Sequence, residues 1–214
     1  MDVYSIAPKN NMSWQLKKSI ESRDLLQTVG GWNAVMHNGN YCIKKAYKLL
    51  LGTFEKVQWR RLVCNNTASP KSKFMLWMVL QNRVATADRL SKWGIPCSVT
   101  CKMCNAADES VQHLFFQCGY SMTVWKEIHA KLRWQYQNIP FHEEVQKATR
   151  RAHSSSRQGK MYTKLLTETI YGIWLQRNNK IFNNNLVPPS VLVKEILFRT
   201  TCNCSKEERM LLLY

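Results

Sequence analysis

Residues 101–118 read Cys101-Lys102-Met103-Cys104-Asn105-Ala106-Ala107-Asp108-Glu109-Ser110-Val111-Gln112-His113-Leu114-Phe115-Phe116-Gln117-Cys118. Their spacing is Cys-x2-Cys-x8-His-x4-Cys. A Cys-x2-Cys knuckle lets two thiolates reach one ion from a tight turn, and His113 and Cys118 span a short helix and its end. Zinc takes four such soft or borderline ligands in a tetrahedron, with Zn–S of about 2.3 Å and Zn–N of about 2.0–2.1 Å. Cys101, Cys104, His113 and Cys118 fill that shell and leave no position for water. The pattern therefore predicts a structural zinc rather than a hydrolytic one. The ion ties loop 97–109 to the helices on either side, so its binding is part of local folding. The competing reading is ordinary cysteines with one satisfied histidine, and Cys97 is a spare that can stand in for Cys101.

Working outward, Ser69-Pro70 opens a well-patterned region. Phe74, Trp77, Met78 and Gln81 lie at helical spacing, flanked by Lys71, Lys73 and Arg83. Thr86 caps a second helix with Leu90 and Trp93 facing inward, and Gly94-Ile95-Pro96 ends it. Ser110 caps a short helix carrying Val111, His113, Leu114 and Phe115. A longer helix follows over about 120–134, with Val124, Trp125, Ile128 and Leu132 on one face. Residues 137–159 read as a flexible linker, from Pro140, Arg150-Arg151 and Ser154-Ser155-Ser156. Leu165, Leu166, Thr169, Ile170, Ile173 and Trp174 then form one stripe of a helix over 160–182, ended by Asn183-Asn184-Asn185. Pro188-Pro189 precedes a last helix over 190–200. Upstream, 43–51 reads as an amphipathic helix (Ile43, Ala46, Tyr47, Leu50, Leu51) stopped by Gly52. Trp59, Leu62 and Val63 mark another, and Asn38-Gly39-Asn40 turns a short hairpin near Trp32–Tyr41.

The expected fold is mainly α: a small helical domain organised around a structural zinc loop, with a short N-terminal hairpin and a helical C-terminal tail. The expected divisions are 1–40 (N-terminal segment), 41–136 (zinc-binding domain), 137–159 (linker) and 160–214 (helical region).

The 214 residues carry 31 Lys+Arg against 14 Asp+Glu, a net charge of +17. The excess is spread, +9 over residues 1–119 and +8 over 120–214. Such a charge attracts polyanions. The strongly apolar run Phe74 to Leu80 is far shorter than the roughly 20 residues of a spanning helix. Residues 1–10 show no apolar stretch of signal-peptide length. A reducing compartment is therefore expected, with the 8 cysteines as thiols or metal ligands rather than a disulfide framework. Cys202 and Cys204 read as structural or incidental, Cys42 and Cys64 as core residues. The acidic pairs Asp108-Glu109, Glu143-Glu144 and Glu207-Glu208 lie in no apolar strand of the kind that fixes metal-binding carboxylates. Gly30-Gly31 is followed by no phosphate-loop Lys, and no Gly-x-Ser-x-Gly elbow occurs.

Many of these residues together resemble a known family. They are Ser69-Pro70-Lys71-Ser72-Lys73-Phe74-Met75-Leu76-Trp77, Asn82-Arg83-Val84-Ala85-Thr86-Ala87-Asp88-Arg89-Leu90, Gly94-Ile95, the Cys/His pattern with Glu109-Ser110, Leu114-Phe115, and Ser121-x2-Val124-Trp125. Their order resembles the zinc-binding domain at the C-terminus of plant non-LTR (LINE-type) retrotransposon reverse transcriptases. The resemblance covers about 41–136, with a weaker echo in Ile173-Trp174-x2-Arg177-Asn178-x2-Ile181-Phe182. It implies a module that helps engage nucleic acid during target-primed reverse transcription. Full-length relatives carry an endonuclease and a polymerase upstream, and nothing here corresponds to either. The resemblance thus implies the detached tail of such an element or a host gene derived from one. Lys102 stands where the family often has Pro.

The resulting expectation is a non-catalytic module that binds RNA or DNA in the nucleus, with structural zinc, retroelement protein partners, no membrane and no small-molecule substrate. Lys71, Lys73, Arg83, Arg89, Lys92 and Lys102, beside Trp77 and Trp93, are the candidates for phosphate contact. Trp77 also sits at core spacing, which places it inside. The alternative is a protein-interaction or vestigial structural domain in which zinc only stabilises the fold. A nuclease using Asp88, Asp108 or Glu109 requires those acids to converge in a cleft.

Overall fold

A computed structural model describes residues 6–213. Residues 1–5, half of the stretch scanned for a signal segment, lie outside them. The chain divides into two compact units, Met1–Lys56 and Val57–Tyr214. The described residues form twelve α-helices, one π-helical turn and one two-stranded hairpin. None of the helices is long and apolar enough to cross a membrane.

The first unit contains α1 (Trp14–Glu21), α2 (Arg23–Gln27), α3 (Gly31–Val35), β1 (Met36–His37), β2 (Asn40–Tyr41) and α4 (Ile43–Leu51). The hairpin pairs Met36 with Tyr41 and His37 with Asn40. Its turn residues Asn38 and Gly39 both have positive φ, at 49° and 74°. Asn-Gly suits such a turn because neither residue resists the left-handed region strongly. A small core of Leu26, Val35 and Ala46 packs against Trp32. Of the predicted α4 stripe only Ala46 is buried, whereas Ile43 and Tyr47 are exposed.

The second unit is built on α10 (Arg157–Asn183), which packs against α6 (Pro70–Leu80), α9 (Phe141–His153) and α11 (Pro189–Cys202). Around these lie α5 (Arg60–Cys64), α7 (Ala87–Lys92), α8 (Gly119–Lys131) and α12 (Lys206–Leu213). Ser69 caps α6, its Oγ accepting from Ser72 N at 3.1 Å, with Pro70 in the first turn where no N–H is needed. Asn184 ends α10 in the left-handed conformation.

The single stripe read for α10 is too narrow. From Met161 to Ile170 every residue is buried, because helices flank it on several sides. Several polar members find distant partners, while Tyr162 Oη and Thr169 Oγ1 have none. Glu168 accepts from Ser69 N at 3.1 Å and Ser72 Oγ at 2.9 Å, and pairs with Arg199 at 3.4 Å. Asn66 Nδ2 donates to Thr167 Oγ1 at 2.6 Å and to Thr163 O at 3.3 Å. Lys164 reaches Glu208 and Asn203 O.

Several local expectations change. Helix α9 occupies most of the stretch read as a linker, with Glu144 and Ala148 buried. Its apolar stripe is held by α5 and α10, which local composition does not reveal. Trp93 is 54% exposed, lying at the end of α7 beneath the Arg89 guanidinium 5.0 Å away. Trp77 is half-buried against the exposed ring of Phe74. Cys64, the last residue of α5, is exposed and Cys42 half-buried, so neither is core. Cys204 is buried beside Lys164, while Cys202 is exposed.

Candidate metal centre

Two short structures bring the four ligands together. The first is the knuckle. Thr100 and Asp108 form an antiparallel bridge, and Glu109 N donates to Val99 O at 2.8 Å. Cys101 N donates to Ala107 O and Asn105 N to Cys101 O, with Asn105 in the left-handed region at φ 54°. This folds Cys101 and Cys104 toward one point. The second is a π-helical turn, His113–Gln117. Ser110 Oγ accepts from His113 N at 3.1 Å at its start. Cys118 N closes it onto His113 O at 2.7 Å. In a regular α-helix, residues five apart lie about 140° apart around the axis. The i→i+5 closure widens the turn and returns Cys118 to the side of His113.

The Sγ atoms of Cys101, Cys104 and Cys118 and a ring nitrogen of His113 all lie within 4.8 Å of one another. Cys101 Sγ is 3.9 Å from Cys118 Sγ, and Cys104 Sγ is 3.3 Å from His113 Nε2. A tetrahedron with Zn–S of about 2.3 Å has S···S edges of about 3.8 Å, so the quartet matches the geometry the ion imposes. Cys101 and Cys118 are fully buried. Their close approach through one shared proton pushes the Cys101 thiol above its ordinary range and holds Cys118 below it. Zinc resolves that sharing by taking both sulfurs as thiolates. Four protein ligands in a largely buried cluster leave no open coordination position, which is a structural site. Cys97 is exposed, bonded to Ala87 O at 3.7 Å, and is not a member.

Behind the knuckle, Glu109 is 1% exposed. Its Oε1 accepts from Arg177 Nη2 at 2.7 Å and from Ala87 N at 2.9 Å. Arg177 Nε lies 3.2 Å from both carboxylate oxygens. The Arg177 guanidinium also lies over the Trp174 ring at 5.0 Å. Glu109 thus clips the knuckle to α7 and α10, and its oxygens are committed to that pairing. Asp108 is exposed, and Asp88 is engaged by the Thr86 hydroxyl.

The six cations read as phosphate contacts are distributed over α6, the turn after it, α7 and the knuckle. Lys71, Arg83, Lys92 and Lys102 are exposed, and Lys73 and Arg89 half-buried. A different set converges. Three adjoining cavities share Arg151, and their walls carry Arg61, Arg133, Lys147, Arg150 and Lys160. No carboxylate lines any of the three. Lys147 and Arg151 stand four apart, the spacing of neighbours on one helix face, so a helical reading of 141–153 would have found that pair.

Residues 41–125 match the family model described as zinc-binding in reverse transcriptase. No curated protein and no solved structure matches the chain. The matched segment contains the whole quartet, so the family likeness and the geometry agree on zinc as the structural cofactor of this centre.

Proposed function

We propose that the protein is a non-catalytic nucleic-acid-binding module, built on structural zinc and derived from a plant non-LTR retrotransposon, that engages RNA or DNA in the nucleus. The observation that carries this reading is the basic track around Arg151, whose cavity walls hold no carboxylate, in a chain of net charge +17. Lys and Arg there meet phosphates and release condensed counterions, so affinity falls linearly with log salt concentration. Glu109 serves as a structural anchor in this reading, which leaves the acids without a catalytic role.

The test is binding of single-stranded RNA and DNA across a salt series, with and without zinc chelation. Tight, salt-dependent binding lost on chelation is expected. Alanine at Arg61, Arg150 and Lys160 together is expected to reduce the log–log salt slope by about 2, at roughly 0.7 per phosphate contact on a single strand. Alanine at Lys71, Lys73, Arg83 and Arg89 tests the patch nearer the zinc loop in the same way. Absence of binding at about 50 mM salt overturns the reading and leaves the protein-interaction or relic account.

A further inference from the structure

One of the three cavities is more than a charged surface. It lies among the C-terminal end of α8, the turn 132–140, α9 and α10, with a volume of about 340 Å³. Arg133, Lys147 and Arg151 supply three positive charges, and Trp134, Tyr162 and His129 supply rings. The Arg151 guanidinium sits 4.0 Å from the Tyr162 ring centroid and 5.8 Å from that of Trp134, with no salt bridge or side-chain hydrogen bond among the described residues. The rings hold the cation in place without neutralising it. Glu144 lies outside the lining of this cavity, 3.9 Å from Lys147, and its charge also acts on Arg151.

Two polar atoms near the cavity lack partners. Tyr162 is 3% exposed and His129 6% exposed, and neither Tyr162 Oη nor His129 Nδ1 has a hydrogen-bond partner. Both atoms are closed to solvent whereas the cavity is open to it, so they lie behind its wall and give a ligand no direct contact. Burial, together with Lys147 and Arg151, holds the His129 imidazole down to about 4, so at neutral pH it adds no charge to the site.

We propose that this cavity binds one nucleoside monophosphate unit, its phosphate meeting Arg151 and Lys147 and its base lying against Trp134. The volume falls in the range of small-ligand sites, roughly 300–1,000 Å³, and exceeds what inorganic phosphate fills. Planar walls suit a planar base, because every base has a π face. The adjoining cavities, with Arg150 on one and Arg61 and Lys160 on the other, continue the track for neighbouring phosphates of a strand. The assignment rests on the nucleic-acid reading and gives it a specific subsite.

The experiment is calorimetric titration of the zinc-loaded full chain with AMP, adenosine, inorganic phosphate and a 5′-phosphorylated hexanucleotide at low salt. AMP is expected to bind about tenfold or more tighter than adenosine or phosphate, consistent with one charge-assisted contact added to stacking. Lys147→Gln is expected to lower AMP affinity by about tenfold, because one charge-assisted phosphate contact is lost. Arg151→Gln is expected to abolish AMP binding. Hexanucleotide binding without AMP binding, or AMP affinity unchanged in both variants, overturns the subsite and leaves the nucleic-acid reading standing. AMP binding without hexanucleotide binding supports the subsite, assigns it to free nucleotide and overturns the nucleic-acid reading.

Discussion

Removal of zinc is expected to unfold residues 57–214 rather than loosen the knuckle alone. Cys101 and Cys118 belong to the same core as Leu62, Leu76, Val79, Leu114 and Phe115. Without the ion, two close sulfurs in that core lose the positive charge that lets both be thiolates. Apparent binding free energies of structural zinc run at about 10–16 kcal/mol in small peptides, as large as the roughly 5–15 kcal/mol that holds a whole domain folded. Excess chelator, or Cys118→Ser, should therefore abolish the near-ultraviolet dichroism of the packed tryptophans and the cooperative thermal transition. Cys97→Ser should change neither, since that thiol is exposed and outside the quartet. A chelated chain that still melts cooperatively within about 5 °C of the holo form would assign zinc a shift of only about 1–2 kcal/mol.

The second large effect is at the Glu109–Arg177 pair. Both side chains are more than nine-tenths buried. Deleting one partner strands the other charge in the interior, which costs about 3–5 kcal/mol. Glu109→Leu and Arg177→Met should each show that loss in urea denaturation. The double variant Glu109→Leu with Arg177→Met should cost less than the sum, because no charge is left behind. It should not return to neutrality, since Ala87 N loses its acceptor, a penalty of about 1–3 kcal/mol. Strictly additive losses would mean that the two groups are not coupled.

These sites differ in how far the sequence discloses them. The zinc quartet is legible because all four ligands fall within residues 101–118 and their chemistry is narrow. The spacing does not show the π-helical closure that makes a five-residue separation face inward. Ser69-Pro70, Pro188-Pro189 and Asn38-Gly39 mark element ends through local backbone chemistry, and the helices and hairpin start or turn there. Partners far apart in the chain are another matter. Glu109 and Arg177 are 68 positions apart, and Asn66 and Thr167 are 101 apart. No local pattern encodes such a pairing. Helix α9 is missed for a related reason: polar residues and the serine run after it outweigh a stripe whose burial depends on α5 and α10. With α9 read as a linker, the Arg151 track could not be seen.

The limits of the family match and the limits of the packed body do not coincide. The match runs from 41 to 125, crossing the division after Lys56 at one end and stopping before α9 at the other. Yet Asn66, Ser69, Ser72 and Glu109 within it all find their partners on α10. A polypeptide ending at residue 125 would keep every zinc ligand and lose every one of those partners. The heritable unit, the piece that can pass between proteins and still fold, therefore has to carry α10 with it. A zinc signature alone marks only one end of that unit.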